Sequence, residues 1–322
     1  MKRICFVMFL VLFTCSRAHA GKLRKEEFQF LDSLVTKAGP MKGYSLRFIV
    51  DSITASCKDE LQMTRAFYRW CFLYLELDLH RMKHPKNKPD NASSALMERK
   101  ASPKGFADLF KAMCELKHIS CRTVRGLIRL HEEDIGELDK EAIHYWSVIR
   151  VDHTDYVVDP SLCGGIWNNK MRFIDRQWTD AWWLTNRRLF AFTHFPDKPE
   201  DQLLEVPLKQ IEFKNAPIPT ATAIAIGLAP MSKSGMLKGY ADSSMELQFL
   251  FAGPVRVPQM TISWDNHPQI LVGADIDENG YYIGIPFSKP GDHVCYIYAN
   301  SSLAFIYKAK VARGRKVREY KR

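Results

Sequence analysis

Beyond its first twenty residues the sequence has no apolar run long enough to cross a bilayer, so a processed chain would carry no transmembrane helix. It contains no P-loop, no GxGxxG and no HExxH, which removes the common nucleotide, dinucleotide and zinc-peptidase signatures. There is no CxxC pair to suggest structural zinc or a dithiol redox centre. His80 and His84 stand at helical spacing, but Pro85 follows at once and no third ligand is near. Neither a metal nor a cofactor is therefore expected. Internal repeats are absent.

At 322 residues with 46% apolar content, the chain is long enough for two domains with real cores. Its start reads as a secretory signal: Lys2 and Arg3, an apolar run from Cys5 to Cys15, then Ala18-His19-Ala20 before Gly21. Export, periplasmic or secreted, with cleavage after Ala20 is the expectation, and a lipoprotein anchored at Cys15 is the alternative. Losing Lys2, Arg3 and Arg17 takes the formal charge from +10 to +7. Residues 308–322 hold eight Lys/Arg against Glu319 alone, another +7, so the body between is close to neutral. A neutral body argues against nucleic-acid binding. The basic tail reads as a solvated end or as a contact for an anionic surface. Six cysteines follow the signal, Cys57, Cys71, Cys114, Cys121, Cys163 and Cys295, irregularly spaced and mostly in apolar segments, as buried filler would be.

Helical periodicity marks residues 22–37, 46–53 and a stretch from the 54–61 cap region to about Leu79. The polar, proline-containing segment from His80 to Asn91 reads as an exposed loop. Ser102-Pro103 opens a helix to about Leu116. Strands are expected over 120–130, 143–151 and 156–159, with a tight turn at Asp152-His153-Thr154-Asp155. After Pro217, seven short apolar runs recur: 221–228, 245–251, 259–264, 269–274, 281–286, 293–298 and 303–311. Asp277-Glu-Asn-Gly is a hairpin signal among them. This pattern predicts an immunoglobulin-like β-sandwich after an α+β region.

Arg99-Lys100, Gly105-Phe106-Ala107 opening a helix, Gly126 ending a strand, His144-Tyr145-Trp146 and Asp159-Pro160 fifteen residues after the histidine stand in one order and spacing. Together they resemble the transglutaminase-like branch of the papain-type thiol enzymes. Thr193-His-Phe-Pro-Asp, Gln202-Leu-Leu and Glu212-Phe213 further resemble the kyphoscoliosis-peptidase branch. The resemblance implies a transglutaminase-like domain over 21–200, including the N-terminal helices. The β-sandwich then covers 201–311 and the basic tail 312–322.

In that family a cysteine thiolate at a helix N-terminus attacks the substrate, and a histidine held by a carboxylate moves the proton. The resemblance assigns the pair to His144 and Asp159, and it puts Pro103 at the nucleophile position. Proline has no nucleophile and no proton to give up. Two readings follow. One is an inactive relative that holds a peptide or protein segment in its helix–sheet cleft. The other is an active hydrolase or acyltransferase with an atypical nucleophile.

Overall fold

The computed structural model describes residues 26–84, 89–163, 166–167, 173–175, 178–251 and 258–314. The expected signal, Cys15 and residues 315–322 of the basic tail lie outside them. No helix among the described residues is long and apolar enough to cross a membrane. The chain divides into two compact units, Met1–Ser120 and Cys121–Arg322.

The first unit is helical. Residues 26–38 (α1) bury Leu31 and Val35, and Asp32 on the same helix takes a two-pronged ion pair from Arg65 at 2.7 and 3.0 Å. Helix α2, Leu46–Thr54, starts where Ser45 accepts the Phe48 amide. Helix α3, Glu60–Tyr74, is capped by Asp59 and buries Phe67, Trp70 and Cys71. It stops five residues short of the expected Leu79, because Leu75 turns extended and Glu76–Leu77 pairs in parallel with Lys100–Ala101.

The stretch read as an exposed loop begins within a helix. Helix α4, Leu79–Lys83, holds Arg81 almost fully buried, with Glu98 at 2.8 Å and Asp90 at 3.5 Å. The polarity that suggested solvent there serves an internal ion network. Asn91 then caps α5, Ala92–Glu98, and Ser102 caps α6, Pro103–Leu116, as expected.

The second unit opens with a five-stranded antiparallel sheet. Its strands are β1 (Ser120–Ile128), β2 (Ile143–Val151), β3 (Thr154–Val158), β4 (Trp183–Thr185) and β5 (His194–Pro196), in the order β4-β3-β2-β1-β5. The β2–β3 hairpin closes through Asp152 and His153, both at positive φ (48° and 61°), in the two-residue geometry that matches strand twist. Gly126 on β1 is required by packing: a Cβ there would come within 2.7 Å of Pro196 Cα and of the Trp146 ring. The short helix α7, Arg187–Ala191, precedes β5.

Two more helices and a sandwich follow. Helix α8 is Gln210–Asn215, and α9 is Ala221–Ile226. One sheet contains β6 (Ile218–Pro219), β8 (Met236–Tyr240), β10 (Met260–Trp264), β11 (Ile270–Leu271), β14 (Gly291–Ala299) and β15 (Ser302–Ala312). The other contains β7 (Leu228–Pro230), β9 (Ser243–Phe251), β12 (Ala274–Asp277) and β13 (Gly280–Phe287). Residues of both sheets share one core, including Phe249, Tyr281 and Ile283 facing Ile262, Ile297 and Phe305. The Asp277–Gly280 hairpin forms as expected.

Within residues 221–228, expected as a strand, only Leu228 enters a strand and Ala221–Ile226 form a helix. Thr220 caps it, and Gly227 ends it at φ 71°. A six-residue apolar run has no period long enough to separate the two states, so the caps decide. Strand β8, which runs parallel to β15, was not expected, because Lys238 and Gly239 break its apolar pattern.

Candidate functional site

His144 is the second residue of β2, and Asp159 follows the last residue of β3. The antiparallel register pairs Ser147 with Val158, which carries both side chains to the open end of the hairpin. There His144 Nε2 lies 2.6 Å from Asp159 Oδ2, and neither side chain is exposed.

A third group completes the cluster. His194, first residue of β5, places its Nε2 3.1 Å from the same Oδ2. The pairing of Ile128 with His194 puts it there. The other carboxylate oxygen, Oδ1, accepts the Ser161 hydroxyl at 2.7 Å, the Ser161 amide at 2.9 Å and the Leu162 amide at 3.3 Å. Burial works to raise the Asp159 carboxyl, but the electrostatic pull and hydrogen bonds of the His144 ring, then those of His194, outweigh it and hold it well below the usual carboxylate range.

An ionised Asp159 is acceptor-only, so each histidine donates from Nε2. Burial depresses His194 to about 4, against the pull of Asp159, leaving it neutral at neutral pH. Its Nδ1 then accepts the Thr193 hydroxyl at 2.8 Å. The ring stacks on Phe190 at 3.8 Å and 8°, with Trp146 and Trp182 edge-on at 5.2 and 5.8 Å. This aromatic box excludes water from the carboxylate.

His144 Nδ1 faces away from Asp159 and has no hydrogen-bond partner among the described residues. In the neutral tautomer that donates from Nε2, Nδ1 would carry the lone pair that a general base needs. Ser161 cannot serve as a nucleophile to it, because its hydroxyl lies 3.5 Å from the proton-bearing Nε2 and bonds Asp159.

His144, Asp159 and His194 also supply three metal-ligand atoms within 4.8 Å of one another. Two ligands of one zinc ion would stand about 3.3 Å apart in tetrahedral geometry. The 2.6 Å contact is instead that of a charge-assisted hydrogen bond.

Pro103 lies in the other unit, buried at the first position of α6. Ser102 before it is fully engaged: its hydroxyl bonds the Asp90 carboxylate and accepts the Lys104 amide at 3.2 Å. Gly105 is needed beneath it, since a Cβ would meet Asp90 Oδ1 at 2.6 Å. Three cysteines elsewhere are poorly suited to attack. Burial pushes the Cys71 and Cys295 thiols up to about 12 and, with Asp59 adding, Cys57 up to about 11.

Of the residues singled out in the sequence, His144 and Asp159 meet, whereas the roles of His194 and Ser161 were not foreseen. His194 stood inside the quoted Thr193-His-Phe-Pro motif. Ser161 follows Asp-Pro at the spacing of a side-chain turn, a signal that could have found it. Other motif residues turn out to be structural. Arg99 ends α5 at φ 56°, with its guanidinium 4.5 Å over Trp70. Gln202 pairs its carboxamide with both backbone groups of Leu208. Glu212 accepts the Lys209 amide at the start of α8, and Phe213 packs on Phe195 at 5.0 Å.

The sequence profile of the Transglutaminase-like superfamily matches residues 47–160, which holds α3, α6 and both members of the His144–Asp159 pair. Kyphoscoliosis peptidase of Mus musculus is 23% identical over 219 residues, covering 68% of this chain and 32% of that protein. Its Homo sapiens counterpart is 24% identical over 191 residues, covering 59% and 29%. The chain thus spans about a third of the length of the curated relatives it matches. A crystal structure of a TGase shares 16% identity over 51% of this chain and 41% of that one, with a TM-score of 0.29. The profile match thus marks residues 47–160 as a transglutaminase-like region, with weak similarity to kyphoscoliosis peptidase beside it.

Proposed function

We propose that the protein is an exported, catalytically inactive member of the superfamily that holds a peptide or protein segment without cutting it. The observation that carries this reading is the start of α6. The motif resemblance, laid on Gly105-Phe106-Ala107, implies that Pro103 holds the nucleophile position, and that position is built as an ordinary helix cap, with Ser102 committed to Asp90 and to the Lys104 amide. A residue with no thiol at that place removes covalent catalysis. The zero exposure of His144 and Asp159 supports a structural role for the pair. Peptide as the ligand class rests on the relatives, which are peptidases by name.

The second reading, an active hydrolase or acyltransferase with an atypical nucleophile, draws on the unpartnered His144 Nδ1. Turnover separates the two. Protein from the native host, expected to begin at Gly21 by mass spectrometry, should hydrolyse no peptide and couple no amine to glutamine. Turnover abolished by His144→Ala would overturn the proposal. Pro103→Cys asks what the pair retains. Alkylation far faster than that of an ordinary thiol would mean that His144 still addresses the α6 N-terminus, whereas ordinary reactivity would fit a purely structural pair.

A further inference from the structure

At one end of the sandwich, β10, β13 and β15 frame a cavity of about 270 Å³ that is separate from the histidine cluster. Its walls are apolar: Trp264 and Phe287, with ring centroids 5.8 Å apart, together with Ile270 and Val311. Phe287 and Val311 belong to the buried core, so this floor is set by the fold. The volume is below that of a drug-sized site and suits one large side chain.

The polar groups around it differ in what holds them. Asp265 is held in place, accepting His293 Nδ1–H at 2.6 Å and the Val294 amide at 2.8 Å. Lys289 and His267 also line the cavity and are exposed. Neither side chain makes a hydrogen bond or ion pair that the described residues supply. Asp265 acts on His267 through its charge, so Lys289 is the lining cation that no carboxylate holds.

A third feature points to the shape of the ligand. Ile270 also belongs to β11, the last strand of its sheet, which pairs with β10 on one side. Ile270 and Leu271 are both exposed. The outer edge of β11 offers backbone groups to an extended chain beside the cavity.

We propose that this end of the sandwich binds the C-terminal residue of an extended peptide. A large apolar side chain packs on Trp264 and Phe287, the terminal carboxylate pairs with Lys289, and the preceding backbone lies along β11. A free carboxylate on an apolar residue satisfies both the walls and the unmatched cation, and the strand edge distinguishes a peptide from a small aromatic acid.

Calorimetry on the whole chain tests this with an acetylated peptide of alternating serine and valine ending in phenylalanine. Saturable one-to-one binding is expected, weakened about tenfold or more by amidating the C-terminus or by ending the peptide in alanine. Lys289→Glu should cause the same loss with an unchanged melting temperature, since Lys289 is exposed and holds nothing together. Trp264→Ala should also lose binding, and Lys289→Glu remains the test if that variant folds poorly. No binding, equal binding of acid and amide, or indifference to Lys289→Glu would overturn the proposal. Equal affinity for 3-phenylpropionate would overturn the peptide assignment, because the strand edge would then contribute nothing.

Discussion

His144–Asp159 in the five-stranded sheet and His293–Asp265 on the sandwich are both histidine–carboxylate pairs at 2.6 Å. Their surroundings differ. The first has side-chain exposures of 0% on both sides, whereas the second has 18% and 40%. Asp159 collects five hydrogen bonds from four residues of the protein. Asp265 takes two from the protein and leaves the rest to solvent. The same bond length therefore stands for two different free energies. A buried carboxylate must be saturated to exist at all, and each donor lost is felt in full, whereas water replaces a donor lost at the surface.

Mutation should expose this difference. Asp159→Ala orphans the Ser161 and Leu162 amides and two imidazole N–H groups, and should cost about 3–5 kcal/mol in urea denaturation. Asp265→Ala should cost no more than about 1 kcal/mol. Equal costs would mean that burial is not what separates the pairs.

The pH dependence of stability gives a second contrast. His194 titrates near 4 in the fold and near 6.5 in an unfolded chain, so the unfolded state binds the extra proton between those values. Stability should therefore fall by about 3 kcal/mol as pH drops from 6.5 to 4. The depressed Asp159 adds stability above the unfolded carboxylate value and loses it as pH falls further towards its own pKa, so both groups favour neutral pH. His194→Gln should flatten the 6.5-to-4 slope. An unchanged slope would place the proton elsewhere.

Glycines refine the comparison at smaller scale. Gly126→Ala drives a methyl into β5 and Trp146 and should cost about 1–3 kcal/mol. Gly284, on the sandwich strand β13, has open space where its Cβ would stand, so Gly284→Ala should be near neutral or slightly stabilising. Thermal melts of the two variants decide the matter, and similar shifts would mean that the sheet around Gly126 yields.

Local signals were legible wherever one residue does its work within a few positions of itself. Ser102 capping α6, Asp152-His153 turning β2 into β3 and Asp277 closing a hairpin all act through backbone groups two or three residues away. The His144–Asp159 pair was legible through family resemblance, and the hairpin register explains why fifteen residues separate the partners. Reading failed where an apolar run was too short to show a period, as at 221–228, and where polar residues pointed inward, as Arg81 does.

The sequence by itself determined the transglutaminase-like motif order, the helix starts and the hairpin turns, because each depends on neighbouring residues or on a motif in fixed order. Only the tertiary structure decided that His194 joins the pair, since it lies 35 residues beyond Asp159 and arrives through the pairing of β5 with β1. It also decided that the cluster is sealed. Exposure is a property of everything packed around a residue, and the Phe190, Trp146 and Trp182 rings that exclude water come from three separate elements of the chain.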